Sequence, residues 1–299
     1  MYFFPMPEER KTRGGAVALL GRPNAGKSTL LNKLLGKKVS IVSDKPQTTR
    51  SRVLGILTEG DSQIIFIDTP GKSVAAGRLA ALVNRVADEA PYEADLLVWL
   101  IDAKHGLHQN DRETLAQLEK LGKPLAVVLN KMDLAKNGQV LPLVAELKEA
   151  YKIDEFFPLS AKTGANTEPL LKYLFDKLPE NPFLYEADEK TPQDDETLVA
   201  EFVREQIYLN SHDEIPYAVE VETQSIRDNE DGSKSAEVVV WIENPRHRRI
   251  LIGGKGAFIK KVRLFATKRL KEYFGKKVAL SIWIKVEKKK VRRIDAGAN

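Results

Sequence analysis

The stretch "GRPNAGKS" at residues 21–28 constrains the fold of this 299-residue chain more than any other feature of its sequence. It follows the apolar run "AVALL" at 16–20 and opens the helical pattern "KSTLLNKLL". Glycines in such a loop let backbone amides turn inward around phosphate oxygens, and the following helix adds the positive end of its dipole. The pattern therefore predicts a strand, a phosphate-binding loop and a helix in direct succession.

Two polar residues of this region and one further along the chain are candidates for the phosphate chemistry. We expect Lys27 to reach the β- and γ-phosphates and the Ser28 hydroxyl to ligate Mg²⁺. Asp68 ends the apolar run "IIFID" and begins "DTPG", so its carboxylate is expected to hold the same Mg²⁺, and the Gly71 amide to sense the γ-phosphate. A strand-ending aspartate is otherwise a turn or helix cap. The phosphate loop upstream favours the metal role.

The tetrapeptide "NKMD" at 130–133 follows the apolar run "LAVVLN" and points to guanine. Guanine presents two N–H donor groups along one edge, which a single carboxylate can accept, and adenine offers no such pair. Asp133 is therefore the predicted guanine reader, Asn130 is expected to brace the site, and the Lys131 stem to lie along the ring. A site built to hydrogen-bond a substrate group discriminates strongly against a ligand that lacks it.

A second tetrapeptide, "LSAK" at 159–162, ends the next apolar run and is expected to place the backbone amides of Ser160 and Ala161 near guanine O6. Together these motifs predict GTP rather than ATP as the ligand. The predicted nucleotide-binding residues are Gly21, Arg22, Pro23, Asn24, Ala25, Gly26, Lys27, Ser28, Thr29, Asp68, Thr69, Pro70, Gly71, Lys72, Asn130, Lys131, Met132, Asp133, Ser160, Ala161 and Lys162.

Apolar runs alternate with amphipathic stretches through the first part of the chain, which is typical of βαβ units and predicts a mostly parallel sheet. "VLGILT" at 53–58 is instead followed by a tight turn and "IIFID", which predicts one antiparallel edge strand. No apolar run approaches 18 residues, so no membrane span is expected. The chain has no cysteine, which excludes disulfides and iron–sulfur clusters.

The charge is divided sharply along the chain: residues 1–180 have a balance of +3, residues 181–240 of −12, and residues 241–299 of +14. The basic segment predicts a polyanion partner, with a solvated basic face as the alternative. A proline- and acid-rich stretch predicts a linker at 183–195, between a nucleotide-binding domain at 1–182 and a second domain at 196–299. The pattern in the second domain is helix, strand, strand, helix, helix, strand.

Within the basic segment, "ILIGGKGAFIKK" places Gly253 and Gly256 around Gly254-Lys255 between two predicted helices. This G-x-x-G arrangement can clamp a nucleic-acid backbone, although alone it is more often a helix–helix turn. Ile250 and Ile259 are expected to join Ile252 in an apolar platform under unstacked bases. The predicted RNA contacts are Arg246, Arg248, Arg249, Ile252, Gly253, Gly254, Lys255, Gly256, Lys260 and Lys261.

In their order, "GRPNAGKS", "QTTR" at 47–50, "DTPG", "NKMD" and "SAK" resemble the Era family of the Ras-like GTPases, and "RRILIGGKGAFIKKV" resembles the loop of its C-terminal KH domain. The resemblance implies an α/β fold, with a Ras-like, mostly parallel-sheet G domain followed by a smaller α+β KH domain of type II. It implies GTP hydrolysis, binding near the 3′ end of 16S rRNA, and assembly of the small (30S) ribosomal subunit. It also implies a cytoplasmic protein loosely associated with the inner face of the membrane, and we expect a monomer.

The same resemblance assigns the hydrolysis site to Lys27, Thr49 and Gly71. It implies that Thr48 or Thr49 closes on Mg²⁺ when GTP is bound, and we favour Thr49, which gives a metal set of Ser28, Thr49 and Asp68. Asn24 matches an asparagine with which potassium-activated relatives hold K⁺ beside the phosphates. The alternative for Asn24 is a residue chosen for its turn geometry.

The sequence departs from the family pattern in two places. Gly71-Lys72-Ser73 repeats the phosphate-loop tripeptide, but Phe66 stands where a second loop needs its first glycine. Lys72 instead occupies the place of the water-orienting glutamine of Ras-like proteins, and a lysine cannot accept a hydrogen bond from water. We favour Lys72 as a solvent-facing residue of the switch region over Lys72 as a cation that stabilises the transition state. The end of the chain, "EKKKVRRIDAGAN", lacks the tryptophan-containing acidic tail expected of the family.

Two rival functions follow from the same motifs. One is a constitutive RNA-binding module whose G domain only senses GTP and GDP levels. The other is a tRNA-modifying GTPase of the potassium-activated group, but those proteins use a cysteine near the C-terminus and this chain has none.

Overall fold

A computed structural model of the protein describes residues 11–43, 45, 48, 52–71, 87–135, 138, 140–211 and 215–287. These residues form two compact units. The first takes the described parts of 1–36, 54–69 and 87–191, and the second those of 37–53, 70–86 and 192–299. Residues 37–53, which follow the phosphate loop and its helix, thus group with the C-terminal part of the chain.

The first unit is built on a six-stranded sheet in the order β2-β3-β1-β4-β5-β6. Its strands are β1 Arg13–Gly21, β2 Val53–Glu59, β3 Ser62–Asp68, β4 Leu96–Asp102, β5 Leu125–Asn130 and β6 Glu155–Pro158. Strands β1, β3, β4, β5 and β6 pair in parallel. Strand β2 lies at the edge beside β3, and only two residues separate these strands, which makes them a hairpin. The predicted mostly parallel sheet with one hairpin edge is therefore confirmed.

The helices of the first unit include α1 Lys27–Leu35, α2 Gln109–Glu119, α3 Val140–Ala150 and α4 Thr167–Lys177. Helix α2 connects the parallel strands β4 and β5, α3 connects β5 and β6, and α4 follows β6. All six residues of β5 are buried. Such continuous burial is typical of a parallel sheet that is covered on both faces. Because the parallel strands share one direction, their carboxyl ends meet at one edge of the sheet. Gly21, Asp68, Asp102 and Asn130 all end a strand at that edge.

The second unit contains a helix, two strands, two helices and a strand, as predicted. Its elements are α5 Asp195–Asn210, β7 Val219–Asp228, β8 Lys234–Ile242, α6 Pro245–Ile252, α7 Ala257–Phe274 and β9 Val278–Val286. Strands β7 and β8 are antiparallel, while β8 and β9 are parallel. A parallel return needs a crossover, which α6 and α7 supply. The α+β class predicted for the second domain is confirmed.

Local capping explains where two helices of the second unit begin. The Asp194 carboxylate accepts a hydrogen bond from the Thr197 amide (2.8 Å) at the start of α5. The Asn244 side chain accepts one from the Arg246 amide (3.0 Å), and Pro245 follows it as the first residue of α6. Both caps satisfy amides that have no partner within the helix.

Part of the predicted acidic linker is hydrogen-bonded to the first unit. The Gln63 side-chain oxygen accepts bonds from the amides of Leu184 (3.0 Å) and Tyr185 (3.1 Å). The Thr191 hydroxyl donates to the Leu54 carbonyl (2.7 Å). The boundaries at 182 and 196 stay predictions. Within the described ranges, no helix is both long and apolar enough to cross a membrane.

Candidate functional site

The phosphate loop runs from the end of β1 to the start of α1, and two of its glycines are required by close packing. At Gly21 (φ 137°), a Cβ atom would lie 2.5 Å from the Leu100 carbonyl oxygen. At Gly26 (φ 103°), it would lie 2.1 Å from the side-chain nitrogen of Asn130. Both φ angles also lie where L-residues are strained, so the loop needs glycine at each position. Asn24 has φ 62°, a left-handed conformation that asparagine tolerates.

Lys27 is buried at the first position of α1 and folds back over the loop. Its ammonium group donates to the carbonyl oxygens of Gly21 (2.8 Å) and Arg22 (3.1 Å). Burial lowers the pKa of Lys27 to about 8, although the nearby charge of Asp68 acts to raise it. An anionic ligand at this loop would therefore stabilise the protonated, charged form of Lys27.

Ser28 and Asp68 form the candidate metal site. The Ser28 hydroxyl donates to the Asp68 carboxylate (2.6 Å), and Asp68 is fully buried at the end of β3. The hydroxyl of the next residue, Thr69, donates to the Leu19 carbonyl (3.0 Å), which fixes the start of "DTPG" beside β1. A hydroxyl and a carboxylate oxygen side by side are ligands that Mg²⁺ takes in proteins, so these residues fit the ion. Gly71 is buried, whereas Thr49 and Lys72 lie outside the described residues.

Asn130 connects the two ends of the predicted nucleotide site. Its side-chain nitrogen donates to the Ala25 carbonyl (2.7 Å), and its side-chain oxygen accepts from the Ala161 amide (2.9 Å). One buried side chain therefore joins the phosphate loop, "NKMD" and "LSAK", which is the bracing geometry expected of it. The Asp133 carboxylate is exposed and accepts from the Ser160 hydroxyl (2.6 Å), which orients the predicted guanine reader.

The two backbone amides predicted to face guanine O6 already donate within the protein. The Ser160 amide bonds to the Ala165 carbonyl (3.1 Å). The Ala161 amide bonds to Asn130, so a guanine oxygen has to share that N–H with it. Lys162 is exposed beside them, and the Met132 amide donates to the Leu159 carbonyl (3.2 Å), which ties the two loops together.

Asp102 is a site residue that the motifs did not identify. Its carboxylate binds the Lys131 ammonium (2.7 Å) and the His105 ring (2.9 Å). Burial acts to raise the pKa of Asp102, but hydrogen bonds from Lys131 and His105 outweigh it and hold the pKa below its usual range. The ion pair fixes the Lys131 side chain, whose backbone is left-handed at φ 65°. The signal was present, because Asp102 ends a strand at the same edge as Asp68.

The described residues of loop 37–48, which include Thr48, the alternative to Thr49 for closing on Mg²⁺, are held by helix α5 of the second unit. The buried Glu205 carboxylate accepts from the Lys38 ammonium (2.5 Å) and the Val42 amide (2.9 Å). Arg204 donates to the Thr48 carbonyl (2.9 Å), and the Thr48 hydroxyl donates to the Lys45 carbonyl (2.7 Å). Thr48 is therefore bonded within this loop. The sequence carried no sign of this contact, since charged residues on a helix are ordinarily solvated.

The G-x-x-G loop between α6 and α7 is sharply bent. Gly253 has φ 69° and ψ 174°, and a Cβ atom there would lie 2.9 Å from the Phe258 nitrogen. Lys255 and Gly256 are also left-handed, at φ 53° and 78°. Lys255 is exposed. The other predicted contacts surround this loop with exposed side chains, and they are Arg246, Arg248, Arg249, Ile252, Lys260 and Lys261.

Comparison with known proteins matches both units of the chain to described families. The family described as a 50S ribosome-binding GTPase matches residues 16–131, and the KH domain family matches residues 214–291. GTPase Era of Lactobacillus delbrueckii subsp. bulgaricus is 36% identical over 283 residues, which cover 95% of this chain and 94% of that protein. GTPase Era of Geobacter metallireducens is 38% identical over 277 residues, covering 92% and 93%.

Two solved structures are similar over nearly the same extent. Era in complex with MgGDPNP and nucleotides 1506–1542 of 16S ribosomal RNA has a TM-score of 0.87 and 36% identity, covering 94% of this chain and 96% of that one. An Aquifex aeolicus Era variant bound to GDP and AlF₄⁻ also has a TM-score of 0.87 and 36% identity, covering 92% and 94%.

Proposed function

This chain belongs to the GTPase Era family, and we propose that it is a GTP-hydrolysing switch that binds 16S rRNA through its KH domain and assists assembly of the 30S ribosomal subunit. The observation that carries the nucleotide part is the pair of hydrogen bonds through which Asn130 joins Ala25 and Ala161. These bonds unite the phosphate and guanine motifs in one site. The RNA part is supported by the similar Era structure that contains both a GTP analogue and an rRNA fragment.

The arrangement of side chains supports a mechanism of charge stabilisation and positioning. Lys27 and the amides at the start of α1 bind the β- and γ-phosphates, while Asp133 accepts the guanine N–H groups. Water attacks the γ-phosphorus as its bond to the bridging oxygen breaks, giving GDP and phosphate. Ser28 and Asp68, with Thr49, would hold Mg²⁺, which when bound would neutralise charge on the phosphate oxygens. Among the described residues none stands out as a general base, so slow turnover is expected.

The G-x-x-G loop supports backbone recognition of single-stranded RNA. Its bent glycines let a strand approach closely, and the N-terminus of α7 faces the loop. We assign the domains to 1–182 and 196–299, joined by the linker 183–195. The exposed arginines and lysines around the loop, together with the +14 balance of residues 241–299, supply the positive charge that phosphates require.

Three finer assignments complete the proposal. Asn24 holds K⁺ beside the phosphates, supported by its exposed position on the phosphate loop. The protein is a monomer in the cytoplasm and associates peripherally with the inner face of the membrane. The family resemblance supports the location of the protein and its association with the membrane.

Single-turnover phosphate release tests the enzyme against the constitutive RNA-binding rival. We expect release above the buffer background with Mg²⁺ and GTP, and faster release with K⁺ and an RNA oligonucleotide from the 3′ end of 16S rRNA. Lys27→Ala is expected to abolish release, whereas Lys255→Glu is expected to weaken RNA binding and leave GTP binding intact. Release at background under every condition would show that the chain only senses nucleotide. An unchanged rate in Lys72→Ala is expected of a solvent-facing residue.

A further inference from the structure

The two functional side chains of "NKMD" are anchored on opposite sides of strand β5, which lies between β4 and β6 in the sheet. The Lys131 ammonium donates to the carboxylate of Asp102, the last residue of β4 (2.7 Å). The Asp133 carboxylate instead accepts from the hydroxyl of Ser160, which follows β6 (2.6 Å). The stem of Lys131 therefore extends toward β4, while the predicted guanine reader is held on the β6 side.

The position of the Asp102 carboxylate is set by backbone contacts. The register of the sheet places Asp102 beside Asn130, the residue before Lys131. The amide of Ala103 donates to the Asn130 carbonyl (2.8 Å) and joins the two strands again at their ends. The second carboxylate oxygen of Asp102 accepts from the Lys104 amide (3.0 Å). Two strands and a turn therefore fix the acceptor that the Lys131 ammonium meets.

The ion pair between Asp102 and Lys131 is partly sheltered from water, since the two side chains are 15% and 29% exposed. Although burial acts to raise the pKa of Asp102, hydrogen bonds from Lys131 and from the His105 ring outweigh it and hold the pKa below its usual range. The carboxylate is therefore charged at neutral pH. Salt screens a partly buried pair less than a pair on the open surface, so the contact persists at ordinary ionic strength.

The backbone of Lys131 gives a second, independent sign that the position of this residue serves a ligand. Its φ of 65° is left-handed, which is uncommon for lysine. Such conformations cost free energy and cluster at ligand-binding sites. The amide of Leu134 donates to the Lys131 carbonyl (2.8 Å) and closes the turn. The lysine is thus held at both ends, by this turn at its backbone and by Asp102 at its ammonium.

An anchored lysine is a better surface for a base than a mobile one. Lysine is among the side chains that lose most rotamer freedom when they are ordered. Because Asp102 already orders Lys131, a guanine that packs against the stem does not have to supply that free energy. Without the carboxylate, the ammonium is drawn into water and the stem leaves with it.

We propose that Asp102 is a positioning residue for guanine nucleotides, which holds the stem of Lys131 across the face of the base and thereby slows release of the bound nucleotide. The proposal rests on the GTP site proposed above and adds to it a residue outside the nucleotide-binding motifs. In this role Asp102 acts through Lys131 and touches neither the base nor the phosphates.

Release of a fluorescent GDP, mant-GDP, from the full-length chain measures this role by stopped flow. Asp102→Asn keeps an oxygen for the Lys104 amide but removes the charge that holds the ammonium of Lys131. We expect release to become roughly fivefold faster. The association rate should stay within about twofold, because the phosphate loop is unchanged. Asp176→Asn, at another exposed carboxylate of the first unit, is the matched control and should release mant-GDP as the unchanged protein does.

A double-mutant cycle separates action through Lys131 from a general effect on the fold. Lys131→Met keeps an unbranched stem and removes the ammonium, so it should speed release about as much as Asp102→Asn does. If the two residues act as one unit, the double variant should release no faster than either single variant. His105→Ala removes the other partner of the carboxylate and leaves the ion pair, so release should stay within about twofold of the unchanged rate.

Hydrolysis provides a readout that a disturbed fold would change. Asp102 acts at the base, remote from the γ-phosphate, so its loss should weaken ground-state and transition-state binding equally. We therefore expect Asp102→Asn to raise the GTP concentration that gives half-maximal single-turnover hydrolysis roughly fivefold, and to leave the rate at saturating GTP unchanged. A lower rate at saturation would show that the substitution reaches the phosphate loop, and the positioning role would be wrong.

The outcomes distinguish this role from the nucleotide site on which it rests. If the unchanged protein does not bind mant-GDP, the proposed function and this proposal are both wrong. If it binds and Asp102→Asn releases the nucleotide at the unchanged rate, the site stands and the role of Asp102 is wrong. If Asp102→Asn speeds release further in the Lys131→Met background, or His105→Ala speeds it equally, Asp102 acts through its turn and the proposal is overturned.

Discussion

The side chain of Asn130 donates a 2.7 Å hydrogen bond to the carbonyl oxygen of Ala25, fastening the guanine-side loop to the phosphate loop. Asn130→Ala leaves this carbonyl and the Ala161 amide without their partner, at a cost of about 1–3 kcal/mol for each buried group. We expect the affinities for GTP and GDP to fall together by at least about tenfold. Isothermal titration calorimetry with both nucleotides checks this. Asn130→Asp keeps the acceptor for the Ala161 amide but sets a carboxylate oxygen against the Ala25 carbonyl oxygen, so we expect it to lose at least as much affinity as Asn130→Ala. A loss for GTP alone would contradict a bracing role.

Asp133 is expected to set the base specificity. Xanthine carries a carbonyl where guanine carries its 2-amino group, so an asparagine amide can donate where the aspartate accepted. Asp133→Asn should lower GTP affinity by roughly 10²-fold or more and make XTP the preferred ligand. Competition between GTP and XTP for a fluorescent nucleotide measures the switch. Asp176→Asn changes another exposed carboxylate of the first unit and should leave the preference for GTP intact.

The lowered pKa of Lys27, about 8, predicts that nucleotide binding takes up a proton. The phosphates favour the charged lysine and raise its pKa, so near pH 8 the free site is partly deprotonated and the bound site is protonated. Uptake should be small near pH 6.5 and approach one proton near pH 9, where affinity falls up to about tenfold per pH unit. Calorimetry in buffers of different ionisation enthalpy measures the protons. Lys27→Arg should abolish this pH dependence, because the guanidinium stays charged; equal uptake at both pH values would contradict the lowered pKa.

Glu205 is expected to stabilise the second unit through loop 37–48. Its carboxylate is 1% exposed and bonds both Lys38 and the Val42 amide. Glu205→Ala should lower the free energy of unfolding by about 3 kcal/mol, since it leaves a cation and an amide without their acceptor. Urea denaturation gives the value. The exposed Glu237 of β8 provides the control, and Glu237→Ala should change stability by less than about 0.5 kcal/mol. Similar values for both variants would mean that the contact contributes little.

Two adjacent glycines of the G-x-x-G loop are predicted to differ in their tolerance of a side chain. Gly253→Ala places a Cβ 2.9 Å from the Phe258 nitrogen at a φ of 69°, whereas Gly254 has no heavy atom within 4 Å of its Cβ position. We expect Gly253→Ala to destabilise the protein by roughly 1–3 kcal/mol and Gly254→Ala to leave its thermal stability unchanged. Differential scanning calorimetry compares them. Equal melting temperatures for Gly253→Ala and Gly254→Ala would show that an alanine side chain does not strain the bend at Gly253.

Local sequence determines the bounds of a strand that is buried along its whole length. Strand β5, Leu125–Asn130, has the bounds of the apolar run "LAVVLN", because buried parallel strands are continuously apolar and bounded by turns. The role of Asp102 was not foreseen. Its partner Lys131 is 29 residues away, and the motif "NKMD" already explained this lysine by packing of its stem along the guanine ring. The assignments of Thr49 and Lys72 stay predictions, because both lie outside the described residues.

The sequence by itself determined the phosphate loop, the guanine motif, the G-x-x-G loop and the order of elements, because each depends on residues that are neighbours along the chain. Only the tertiary structure decided that Asn130 braces the site through the Ala25 carbonyl and the Ala161 amide, and that loop 37–48 is held by Glu205 and Arg204. These contacts join residues from 31 to 163 positions apart, and hydrogen bonds between such residues follow from the packing of whole elements. No local propensity encodes them.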